Sequence, residues 1–198
     1  GSYLVNLFVQ EMGFGSELVA VLAVLVLCAM TAMNDITAAS VSLEGKTIWL
    51  SRSLPVSAWQ ALRAKLYLHI LLTGIPALFC SGCLCAVLRP SFAMAAFIVI
   101  TPLLFTALFA AFGLALNLKI PNLNWTSETA AVKQSFSVLI TLFSGWILPL
   151  AFGVIYYLLF MRLDALWFFI VYSAVVTVLC AVCLTWLKKR GTLIYKSL

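Results

Sequence analysis

The chain has 198 residues, of which 65% are hydrophobic and 9% charged, and its mean hydropathy is +1.15. Soluble domains carry about 25% charged residues. There is too little charge here to cover a water-exposed surface, so the chain reads as an integral membrane protein. Its net charge of +6 belongs to loops between spans and carries no nucleic-acid signal.

Five apolar runs, at about 17–39, 66–88, 92–116, 136–160 and 166–187, approach or exceed the ~20 residues that a helix needs to cross hydrocarbon. Runs such as LVAVLAVLVLCAM do not alternate as the strands of a membrane barrel do. The expected fold is an all-α bundle of about five transmembrane helices, forming a single transmembrane domain over 1–198. An interfacial helix is expected between the first two spans.

Ten of the twelve basic residues fall in 40–65, in 117–135 or in the tail after 187. Only Arg89 and Arg162 lie in the other two loops. The positive-inside rule makes the basic side cytoplasmic, with the C-terminus and both long loops on it. Residues 1–16 then lie outside. An outside N-terminus with no basic leader region and no initiating Met implies that the chain is part of a longer protein, with at least one more span before Tyr3.

The first span ends in MNDITAASVS. Asp35 sits near its inner end, where an acid is either a functional group or a residue solvated at the headgroups. The next stretch, SLEGKTIWLSRSLPVSAWQALRAK at 42–65, is the one long charged segment between spans. On an unbroken helical wheel Leu43, Leu50 and Leu54 share a stripe, while Glu44, Ser51 and Arg52 lie off it. Ile48 and Trp49 project away from the leucines, as a docking surface or as interfacial anchors. Pro55 ends this helix. Ser57 and Gln60 have the spacing of a capping box, so a second helix restarts there and runs into the second span as a rigid elbow.

His69 lies just inside the second span, where a lone His is more often a packing residue than a catalyst. Gly74 and Pro76 are expected to bend that helix. Arg89 and Pro90 make a short outer turn. In the second long loop Pro121 and three asparagines mark irregular backbone. Trp125 is expected at interface depth, Thr126 or Ser127 as a cap, and Glu128 in the first turn of the next helix. Gly145, Pro149 and Gly153 are expected to kink or break the fourth span. Two C-x-x-C spacings, at 80–83 and 180–183, lie within spans and read as packing residues rather than as a redox or zinc site.

No phosphate loop, H-E-x-x-H or paired intramembrane acids occur. The reading is of a non-enzyme, with neither metal nor cofactor of its own.

The run 42–65 resembles the first cytoplasmic loop of type-2 ATP-binding-cassette exporter permeases, through Ser42, Glu44, Gly45, Leu54, Pro55, Val56, Ser57 and Lys65. PNLNWTSE at 121–128, VKQS at 132–135 and the tail LKKRGTLIYKSL are similar to a subgroup of such permeases from Gram-positive bacteria. The resemblance implies a permease subunit in a bacterial cytoplasmic membrane, paired with a second permease half and worked by a separate ATPase that binds ATP and Mg²⁺. ATPase coupling would fall to Glu44, Gly45, Lys46, Ile48, Trp49, Arg52, Leu54 and Pro55. A second contact would involve Pro121, Asn122, Trp125 and Glu128. The alternative is a polytopic sensor, immunity or assembly protein that docks a cytoplasmic partner through the same loop. An intramembrane enzyme is a third class, disfavoured by the missing polar constellations.

Overall fold

The computed structural model describes residues 16–53, 55–123, 125, 127, 129, 132, 135–160 and 164–198, without the side chains of Ser16, Lys46, Ser51, Arg52 and Phe160. The elements in chain order are α1 (Ser16–Thr31), α2 (Ile36–Ala39), a 3₁₀ segment (Ser42–Thr47), α3 (Ile48–Ser53), α4 (Ala58–Leu88), α5 (Phe92–Lys119), α6 (Phe136–Ile155), α7 (Ala165–Trp186) and α8 (Thr192–Ser197). No strand occurs among the described residues. Among the described residues five stretches are long and apolar enough to cross a membrane: Glu17–Gly45, Ala58–Leu88, Phe92–Lys119, Phe136–Leu159 and Ala165–Ser197. The chain is an all-α, multi-pass membrane protein.

Helix α5 is the axis of the bundle and packs on α1, α2, α4, α6 and α7. Between helices in lipid there is little hydrophobic drive, so close packing of small side chains takes its place. Ala110, Ala111 and Gly113 give α5 a flat face. A Cβ at Gly113 would lie 3.2 Å from the Ala38 Cβ, so the glycine lets α2 lie down on α5. Larger side chains fill the middle of the bundle. Phe105 and Phe109 stack one turn apart, with centroids 4.6 Å apart, and Phe152 meets Tyr172 at 4.5 Å. Such ring pairs add directional attraction to the packing.

The first span is not one helix to residue 39. It breaks after Thr31 and resumes as α2. Asn34 accounts for the break: its Oδ1 accepts from the N–H of Ile36 at 3.3 Å and its Nδ2 donates to Thr73 Oγ1. A short polar side chain that bonds its own backbone competes with the helix ladder. After the break, α2 packs against α4 and α5.

The third and fifth spans extend past their expected ends, while the fourth, Phe136–Leu159, keeps to its expected bounds. Helix α4 starts at Ala58 with Ser57 as its cap: Ser57 Oγ accepts from Gln60 N at 3.3 Å, and Ser57 N donates to Gln60 Oε1 at 2.8 Å. It runs through Pro76 without interruption. Arg89, in the left-handed region at φ 46° and ψ 52°, ends it, and Ser91 caps α5, so α4 and α5 form a tight antiparallel pair. Helix α6 likewise stays helical through Gly145, Pro149 and Gly153, and loosens into a π-helical turn only at Tyr156–Phe160. Helix α7 does not stop at Lys188. It passes through a π-helical turn, Leu187–Gly191, into α8.

Candidate functional site

The basic end of the bundle is organised around an amide that the apolar pattern assigned to a loop. Asn117 lies inside α5, fully buried. Its Oδ1 accepts from the N–H groups of Val41 (2.7 Å) and Ser42 (3.1 Å). Its Nδ2 donates to Ser42 Oγ (2.7 Å) and Ser137 Oγ (3.0 Å). Two acceptor and two donor positions are thus all filled, which is the full capacity of an amide. The opposite amide orientation would set N–H against N–H twice.

Ser42 and Ser137 carry the network outward. Ser42 Oγ also accepts from Asn122 N at 3.0 Å, and the Ser42 carbonyl accepts from Trp125 Nε1 at 2.6 Å. Ser137 Oγ donates to the Ala38 carbonyl at 2.8 Å and pairs with Ser135 Oγ at 2.7 Å. The turn after α2 is therefore bonded to α5 and to the second long loop, and α2 itself to the start of α6.

Next comes Gly45, at φ 47° and ψ −128°. That conformation is strained for any residue with a Cβ. The indole of Trp125 covers the position, and a Cβ there would lie 2.9 Å from its Cζ2 and Nε1. Space and dihedral angles both call for glycine. This kink overturns the unbroken helical wheel expected over 43–54. The phase resets at Gly45, so Ile48 faces the core with 8% exposure, while Leu50 points outward with 54%. Trp49 does project from the surface, at 66%.

Glu44 is turned inward. Its Oε1 lies 2.7 Å from Lys65 Nζ on α4, and its Oε2 accepts from Tyr195 OH on α8 at 3.2 Å. Lys65 also donates to the Ser40 carbonyl at 3.0 Å. Both side chains of the ion pair keep less than a fifth of their surface exposed. Glu44 thus ties the loop to two helices of its own chain.

The remaining sequence candidates divide as follows. Pro55 is exposed, Pro121 is half-buried, and Asn122 contributes its backbone N–H to Ser42. Leu54 and Glu128 lie outside the described residues, as do the side chains of Lys46 and Arg52 and the expected cap Thr126. Trp125 is a lid on Gly45, bonded through its indole N–H, beyond the anchoring role expected of an interfacial indole. Sequence reading missed Asn117, Ser137 and Tyr195 as site residues. An amide in the last turn of a long apolar helix was the available signal for Asn117.

Further into the bundle, His69 Nδ1 and Thr37 Oγ1 lie 3.2 Å apart, and Thr101 bonds Ser173 across α5 and α7 at 2.9 Å. The six cysteines are free thiols, and among the described residues no three of His, Cys, Asp and Glu gather as a metal site would require. No family model, curated protein or solved structure matches the chain.

The arrangement gives a short helix, α3, that carries an exposed Trp49 and Leu50 at the end of a loop gripped by α4, α5, α6 and α8. A load applied to α3 meets a fixed mount rather than a slack loop.

Proposed function

We propose that this chain is the membrane-spanning subunit of an ATP-driven exporter, worked from the cytoplasmic side by a separate ATPase that docks on α3. The supporting observation is the exposed Trp49 and Leu50 on a segment whose base is held by Asn117 and by the ion pair of Glu44 with Lys65. Exposed aromatic side chains on rigid mounts are the usual anchors of protein interfaces. The resemblance of 42–65 to exporter permease loops points the same way.

In this reading ATP and Mg²⁺ belong to the partner, and the chain itself performs no bond chemistry. Trp49, with Leu50 beside it, enters a groove on the ATPase. Closure of two ATPases moves α3, and the clamp passes that motion to α4, α5 and α8. Glu44 acts within the chain, so its charge reversal would loosen the clamp as well as alter the surface. Trp49 is the cleaner probe.

The test is purification from native membranes in mild detergent. An ATPase carrying a phosphate-binding loop is expected to come with the wild type. Trp49→Ala should weaken the association by about 2 kcal/mol, or roughly 30-fold, while yield in the membrane is unchanged. Co-purification of a cytoplasmic protein without nucleotide-binding motifs would favour a sensor, immunity or assembly role instead.

A further inference from the structure

Below the clamp, where the first span is broken, a cavity of about 470 Å³ opens beside α4. Its polar edge holds Asp35 and Lys65, and Ile36, Leu43, Leu68 and Val132 supply apolar wall. Asp35 makes no side-chain hydrogen bond to the backbone of α2, which it precedes. One of its carboxylate oxygens is enclosed with no hydrogen-bond partner among the described residues. That oxygen is shut off from the cavity, but Asp35 as a residue lines it, and its negative charge in a largely apolar surround favours a cation with N–H groups there. Lys65 is engaged differently. Its ammonium has three N–H groups, and two are accounted for by Glu44 and the Ser40 carbonyl. That leaves the ammonium capacity for one further acceptor, and Lys65 lines the cavity.

The cavity therefore has a negative group and a positive group on its rim and an apolar wall. Tyr67, Leu68, Leu71, Leu72 and Ile75 are all exposed on α4, a largely apolar face that suits acyl chains. We propose that the cavity binds the headgroup of an amine-bearing zwitterionic phospholipid, of the phosphatidylethanolamine class. Its primary ammonium would donate to Asp35, its phosphate would accept from Lys65, and its chains would lie along Leu68 and Leu43. A quaternary choline headgroup has no N–H to give. A glycerol headgroup leaves the Asp35 charge uncompensated. The proposal stands apart from the exporter reading, since it requires no ATPase and no transport.

The full chain is reconstituted in vesicles of equal parts phosphatidylethanolamine, phosphatidylcholine and phosphatidylglycerol. The lipids retained on gentle extraction are then weighed by mass spectrometry of the intact complexes. Phosphatidylethanolamine should be enriched roughly tenfold over each of the others, the scale of one charge-assisted hydrogen bond. Asp35→Asn should bring the ratio to near one. Leu68→Trp, which fills the cavity and leaves the charge in place, should do the same, and it decides the matter where Asp35→Asn fails to fold. Soluble glycerophosphoethanolamine should not displace the bound lipid. Equal retention of all three lipids by the wild type, or enrichment that survives Leu68→Trp, would overturn the proposal. Full displacement by the soluble headgroup would overturn the assignment to a lipid.

Discussion

Asn117 decides how the loop after the first span is held. Two of its four hydrogen bonds satisfy backbone N–H groups that would otherwise be buried without acceptors, and the other two go to the hydroxyls of Ser42 and Ser137. A buried network of this kind is costly when only part of it is satisfied. Asn117→Ala should lower stability by about 3 kcal/mol, because both N–H groups of the turn lose their acceptor. The measurement is the thermal midpoint of the purified protein in detergent. A cost below about 1 kcal/mol would mean that water or another side chain reaches those groups. Glycine 45 works at the same scale: its dihedral angles and the indole above it fix the direction in which α3 leaves the turn.

At the scale of elements, the clamp is an arrangement of the 3₁₀ segment against α4 and α8. Glu44 and Tyr195 are 151 positions apart in sequence, and Lys65 is on a third helix. Surface ion pairs contribute little, yet this pair is largely enclosed and has a hydroxyl on its second oxygen. A double-mutant cycle of Glu44→Gln and Lys65→Met should give a coupling energy of about 1–2 kcal/mol. Simple additivity would show that the two charges do not hold the loop. These contacts explain what sequence reading reached and what it did not. The five spans were legible because length and apolarity suffice to define them. The capping box at Ser57 was legible because it is a local motif, complete within four residues. The face of Ile48 was misread because a helical wheel assumes that the helix is unbroken, and Gly45 breaks it. The break at Asn34 was missed because 17–39 is apolar enough to read as one run. Tyr195 was missed because nothing local signals a contact between the tail and the first long loop.

For the whole molecule, α5 is the element through which motion at the basic end would spread. It touches α2 through Gly113, the loop through Asn117 and α7 through Thr101. A bundle with one central helix gripped at its end is suited to tilting as a body, and interfaces of packed side chains shift between discrete arrangements rather than bending continuously. The exporter reading depends on what meets α3 in the membrane. Trp49 either enters a protein groove or rests among lipid headgroups, as interfacial tryptophans commonly do. A photo-crosslinking amino acid placed at position 49, activated in intact membranes of the native host, separates these directly. The expected product is a covalent adduct to an ATPase with a phosphate-binding loop, its yield altered by trapping that ATPase with a nonhydrolysable ATP analogue. Adducts to phospholipid alone, unchanged by nucleotide, would contradict the docking of an ATPase on α3.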